Sequence, residues 1–168
     1  MDEPSQPDRP PSADPAARVR FDVTWTVGSA HAAAVEPLLT GLADALSPRS
    51  GEARVRVIDD TEMATAHDRY KNVAGTTDVL TFDLAGDPNE PLDADVLVCI
   101  DEAERQASER GIPVAHELLL YITHAVLHCS GFNDDTEANA AAMHAREDDL
   151  LTAIGIGPVY AASPERTR

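Results

Sequence analysis

Tyr121-Ile122-Thr123-His124-Ala125-Val126-Leu127-His128-Cys129-Ser130-Gly131-Phe132-Asn133-Asp134-Asp135 is the stretch on which the reading of this chain turns. His124 and His128 are four residues apart, a spacing that stacks side chains on one face of a helix. Both imidazoles can then reach a single metal ion. The apolar run Leu118-Leu119-Leu120-Tyr121-Ile122 leads into the pair and Ala125-Val126-Leu127 fills the turn between, so residues 114–129 read as a helix. Gly131 readily takes the left-handed conformation that ends a helix. Asp134 and Asp135 follow, and either carboxylate can return over the histidine face as a third ligand. Two histidines and an acid leave positions open for water, the donor set of a catalytic metal site. The plain alternative is an amphipathic helix with one solvated histidine and one hydrogen-bonded in the core.

Working outward, Val19, Phe21, Val23, Trp25 and Val27 alternate with polar neighbours, which predicts a half-buried strand. Residues 31–46 read as a helix, with Pro48 and Gly51 beyond its end. Residues 53–60 form a second strand, and Asp60 or Thr61 is placed to cap a short helix reaching Lys71. Third and fourth strands follow at 79–82 and 95–100. Asp101 is expected to cap a helix to Arg110, which Gly111-Ile112-Pro113 breaks. The last helix, 136–154, carries Met143, Leu150, Leu151 and Ile154 on one face and stops at Gly155, Gly157 and Pro158. About four short strands and about five helices make one α+β domain over 18–157, a small mixed sheet covered by helices.

Residues 1–17 hold Pro4, Pro7, Pro10, Pro11 and Pro15 among acids and small residues. With no apolar core to that segment, a disordered tail is expected and a secretory signal is not. The end, 158–168, reads as loose. No apolar run has the length of a membrane span. The 168 residues carry a formal net charge of -17, and Lys71 is the one lysine among 13 basic residues. Such acidity argues against a generic nucleic-acid-binding surface, though not against a local basic cleft. Two cysteines, Cys99 and Cys129, fit a reduced cytosolic compartment better than a disulfide framework. Cys129 points about 100° round the helix from His128 and is expected to pack.

The quoted stretch resembles the signature of the YbeY endoribonucleases, a helix carrying HGxLH followed by a turn LxGYDH. His124, Leu127, His128 and Gly131 match, and Phe132 stands for the tyrosine. Upstream, Tyr70-Lys71-Asn72 with Thr77-Asp78-Val79-Leu80-Thr81-Phe82 is similar to the family's YR…PTDVLSFP. Ala94-Asp95-Val96-Leu97-Val98-Cys99-Ile100 is similar to its GDIVIC strand. The likeness runs from about Phe21 to Gly155 and implies the same α+β architecture with a zincin-like metal helix. It places the third metal-binding residue on Asp134, where the family has histidine, with Asp135 one residue further. It places the catalytic arginine on Lys71, which keeps the charge and loses the bidentate fork suited to phosphate. Arg69 replaces it only from a loop.

The resemblance implies metal-dependent hydrolysis of single-stranded RNA, with roles in ribosomal RNA maturation and ribosome quality control in the cytoplasm. Its partners would be ribosomal RNA and a small-subunit ribosomal protein or a GTPase. The expected metal set is His124, His128 and Asp134 holding one divalent ion, zinc by its donors. The catalytic set is Lys71, His124 and His128. His67 is a candidate for the cleft wall, though an ordinary helix position is the plainer reading; His31 is expected to be exposed, His116 to lie on the surface or behind a ligand, and His144 to be solvated or packed. Glu117 either orients a ligand from behind or is an ordinary surface acid. A metallopeptidase would need glutamate after the first histidine, and Ala125 stands there. The replaced histidine and arginine also motivate a non-catalytic, ribosome-associated binding protein.

Overall fold

The alternating strands build a four-stranded mixed sheet of order β1-β2-β4-β3, formed by β1 (Val19–Trp25), β2 (Gly51–Ile58), β3 (Val79–Asp83) and β4 (Leu92–Cys99). This is a computed structural model, and it describes residues 17–160. β1, β2 and β4 run parallel, and β3 pairs antiparallel with β4 at one edge. Parallel neighbours need long crossovers. α1 (Ala32–Ala45), entered through a 3-10 turn at Ser29–His31, supplies the first, and α2 (Asp60–Lys71) with β3 supplies the second. α3 (Ile100–Arg110), α4 (Val114–His128) and α5 (Glu137–Ala153) complete the chain. The expected α+β class, with four strands and five helices, is what forms.

Strand register separates two faces. Ala53, Val55 and Val57 of β2 face Ala94, Val96 and Val98 of β4, and all are buried under the helices. The alternate positions carry charge. Arg54 reaches Asp93 and Asp95, each at 2.6 Å, and Arg20 reaches Glu52 at 2.6 Å. That ladder explains why β4 starts at Leu92 and not at Asp95: Asp93 and Asp95 interrupt the apolar run while keeping strand alternation. At the other end of this face α2 covers a smaller core of Ile58, Met63, Ala66, Leu80 and Cys99.

α4 lies in the middle of the helical layer, touching α1, α3, α5, β3 and β4. Twelve of its 15 residues are buried, as expected for a helix apolar nearly all round. Each Leu→Ala change among Leu118, Leu119 and Leu120 would cost about 2–5 kcal/mol by transfer and cavity terms. The two ends of α4 reach the surface, Val114 and His116 at the start and His128 at the C-terminal end, where His124 lies one turn below.

Two caps differ from expectation. Asp59, not Asp60 or Thr61, is the N-cap of α2, and its carboxylate accepts from the Glu62 amide at 2.8 Å. Asp101 lies inside α3, whose start has no side-chain cap. Its carboxylate instead accepts the Asp60 amide at 2.8 Å, tying the starts of α2 and α3 together. Thr136 caps α5 and accepts from the Asn139 amide at 3.1 Å. Of the segment from Pro158 expected to be loose, Val159 and Tyr160 are held: both amides donate to Asp148, at 2.6 and 2.9 Å. Residues 1–16 and 161–168 lie outside the described part, so the expected N-terminal tail does as well. Among the described residues no helix is long and apolar enough to cross a membrane.

Candidate active site

α4 places His124 and His128 one turn apart, His124 only 5% exposed and His128 at the mouth. Their Nε2 atoms are 3.0 Å apart. Each ring is fixed from behind by its other nitrogen. His124 Nδ1–H donates to Glu147 Oε1 of α5 at 2.6 Å, and His128 Nδ1–H donates to the Phe132 carbonyl at 3.1 Å. With both Nδ1 protons spent on acceptors, both Nε2 lone pairs face the cleft and each other. Two lone pairs at that separation repel unless a metal ion or a shared proton lies between them.

Gly131 makes the second of these contacts possible. Its φ of 91° turns the chain directly after α4 in a conformation that L side chains rarely take. Phe132 then folds back, its amide donating to Leu127 at 3.1 Å while its carbonyl meets His128. Arg49 closes the same corner, donating to the Cys129 carbonyl at 3.2 Å and to the Pro88 carbonyl at 2.5 Å.

The turn delivers Asp134, whose carboxylate lies 3.7 Å from His124 Nε2 and 3.8 Å from His128 Nε2. The three side chains offer ligand atoms within 4.8 Å of one another. Tetrahedral zinc with bonds near 2.0–2.1 Å separates its ligand atoms by roughly 3.3 Å, so this donor set fits one divalent ion with small adjustments. Asp135, the other acid in reach by sequence, accepts from the Asn139 amide side chain at 2.8 Å and is turned to α5. Burial foremost, and His124 second, hold the His128 imidazole below its ordinary 6.5. That favours the neutral form a metal needs.

The site opens into a cleft of about 370 Å³ lined by Lys71, Asp78, Thr81, Asp83, His124 and His128. Lys71, the last residue of α2, is exposed on one wall. Edge strand β3 forms another.

The sequence profile described as Endoribonuclease YbeY matches residues 27–155, most of the chain and all of this cleft. The chain belongs to the YbeY family. It is 31% identical over 110 residues to Endoribonuclease YbeY of Paraburkholderia phytofirmans, covering 66% of this chain and 72% of that one. It is 35% identical over 119 residues to Endoribonuclease YbeY of Moorella thermoacetica, covering 64% and 76%. With Endoribonuclease YbeY of Methylococcus capsulatus the identity is 33% over 119 residues, covering 69% and 79%. The fold is shared with the solution structure of TM1509 from Thermotoga maritima. The TM-score is 0.59 at 18% identity, over 89% of this chain and 99% of that one.

In this YbeY-family chain the expected His124, His128 and Lys71 line one cleft, and Asp134 lies beside the two histidines. The remaining histidines do not join them. His67 is not among the residues lining the cleft; its Nδ1 lies 2.9 Å from the Gly75 carbonyl. His31 is half-buried rather than exposed, 3.6 Å from Glu104. His144 stacks on Tyr160 with ring centroids 3.7 Å apart. Glu117 is not a surface acid: it is fully buried and pairs with Arg110 at 2.7 Å.

The residue that orients His124 is Glu147, which the sequence reading passed over. It sits on α5 among Met143, Leu150 and Leu151, all buried. A charged residue on an apolar helix face was the available signal. A carboxylate so buried is costly unless paired, and its one hydrogen bond among the described residues goes to His124.

Proposed function

We propose that the chain is a metal-dependent endoribonuclease that hydrolyses phosphodiester bonds of single-stranded RNA. The observation that carries the reading is the pair of Nε2 lone pairs 3.0 Å apart, faced by Asp134, in the cleft that holds Lys71. His124, His128 and Asp134 hold one divalent ion, zinc by preference of the donors. Such an ion supplies Lewis acidity toward a phosphoryl oxygen and lowers the pKa of a bound water.

The protein's own groups do the rest. Glu147 and the Phe132 carbonyl keep both imidazoles in the tautomer that binds metal. The Lys71 ammonium neutralises charge that develops on the phosphate, as a point charge and not as a bidentate fork. The RNA class rests on family membership and on the relatives' name. Ribosomal RNA as the natural substrate, a cytoplasmic setting, and a small-subunit ribosomal protein or GTPase as partner extend that same reading.

The test is cleavage of an end-labelled single-stranded RNA beside its duplex, by protein loaded with zinc, manganese or magnesium. The expected result is cutting of the single strand, abolished by chelator and by His128→Ala and reduced by Lys71→Ala. RNA bound but uncut with every metal would leave the binding-protein reading in its place.

A further inference from the structure

On the described surface the exposed large hydrophobics are Tyr70 at 53%, Val73 at 47% and Leu84 at 55%. All three lie in residues 70–84, the segment that also supplies Lys71 and the β3 wall of the cleft. Scattered exposed hydrophobics need no explanation, but a cluster on the rim of an active site does. The Tyr70 ring is held, with the Phe82 ring edge-on at a centroid distance of 5.0 Å and an interplanar angle of 74°. The Arg69 guanidinium lies 5.4 Å from the Tyr70 centroid. Phe82 is the chain neighbour of Thr81 and Asp83, and Tyr70 is the neighbour of Lys71. The Phe82 ring packs on the α2 face of β3 while Thr81 and Asp83 line the cleft on the other face, so platform and cleft lie on either side of one edge strand, joined through Lys71.

Charge marks the same place. Arg18, Arg20, Arg54, Arg56, Arg105 and Arg110 are all engaged by carboxylates. Arg69 and Lys71 have no carboxylate partner among the described residues; the same holds of Arg146 and of Arg49, whose guanidinium is spent on the Pro88 and Cys129 carbonyls. In a chain of net charge -17, two adjacent unpaired cations flanking a fixed aromatic ring suit a polyanion that carries flat rings.

We infer that Tyr70, with Arg69 and Phe82, is a stacking platform for an unpaired base of the RNA strand whose phosphate enters the cleft. This rests on the endoribonuclease reading and gives it a source of single-strand selectivity, because a base inside a duplex cannot leave its stack without cost. Sequence preference is expected to be weak, since every base has a π-face.

The experiment measures binding of metal-loaded protein to a fluorescent single-stranded oligonucleotide with a hydrolysis-resistant backbone, and to the same strand with abasic nucleotides. Wild type, Tyr70→Phe and Tyr70→Leu are compared, with thermal unfolding as the control for folding. Tyr70→Leu should bind the intact strand about tenfold more weakly, a loss in the range for one stacked base. Tyr70→Phe should stay within about twofold of wild type, and the abasic strand should bind all three proteins alike. Leucine binding as tightly as tyrosine, equal weakening on the abasic strand, or no binding by wild type would overturn the platform. Hydrolysis by wild type is scored separately. Cleavage with no Tyr70 effect leaves the nuclease standing without the platform, and a Tyr70 effect without cleavage does the reverse.

Discussion

Among the described residues two places bring three metal-capable side chains within 4.8 Å: His124, His128 and Asp134 at the end of α4, and Asp60, Cys99 and Asp101 where α2, β4 and α3 meet. They differ in what surrounds the ligands. Around the first, every neighbouring contact prepares lone pairs for a cation: Glu147 and the Phe132 carbonyl take the far nitrogens. Around the second, the protein has already supplied the cation. Arg105 binds Asp60 through two hydrogen bonds, at 2.7 and 2.9 Å, and this chiefly pulls the Asp60 carboxyl down to about 2. Cys99 is pushed up to about 11, chiefly by burial, so it stays a thiol. Asp101 is spent on the Asp60 amide. Proximity of ligand types is thus not a metal site; deprotonated, uncommitted ligands are.

The largest effect that would break this contrast is at the first cluster. His124→Ala should lower metal affinity by at least about a hundredfold, more than loss of a supporting residue costs, and abolish RNA cleavage. Chelator competition and a cleavage assay read both. Glu147→Leu comes next, with an expected loss of about 10–100-fold in metal affinity. Unchanged affinity would show that the α5 carboxylate only fills space. Asp134→Ala should weaken binding by about tenfold, within the same range. Asp135→Ala should leave it unchanged, since Asp135 is held by Asn139. Reversal of that order would move the third ligand.

The smallest effect is at the second cluster. The depressed Asp60 pKa contributes stability that is present above its ordinary 3.8 and is lost as pH falls toward 2. Arg105→Ala should therefore flatten the acid limb of the stability curve between about pH 4 and 2. Both partners are more than a third exposed, so solvent screening keeps the change within about 1 kcal/mol. Urea unfolding at several pH values checks it. The same variant, if it took up a second metal ion, would show that Arg105 alone separates the two clusters.

How much of this was legible in the sequence follows from how local each cause is. α4 could be read because its apolar residues run all round and its two histidines share a face. The α+β class could be read because β1 alternates and β2 and β4 are rich in valine. The start of β4 was hidden because Asp93 and Asp95 look like a loop until Arg54 of the neighbouring strand answers them. The cap of α2 moved by one residue because Asp59, Asp60 and Thr61 are chemically equivalent caps, and only Arg105 and Asp101 in space assign Asp60 elsewhere. Glu117 and Glu147 show the limit most plainly. Glu117 shares a helix with His124 but answers Arg110, while Glu147, on another helix, answers His124. Which acid meets which base is a property of helix packing, and no spacing rule encodes it.

The central claim is that the cluster on α4 is a working metal site and the cluster on α2 is not. Metal equivalents per chain, measured by mass spectrometry after reconstitution, test it most directly in wild type, His128→Ala and Cys99→Ser. One equivalent in wild type and Cys99→Ser, with none in His128→Ala, is the predicted result. Metal retained by His128→Ala, or none bound by wild type, would contradict it.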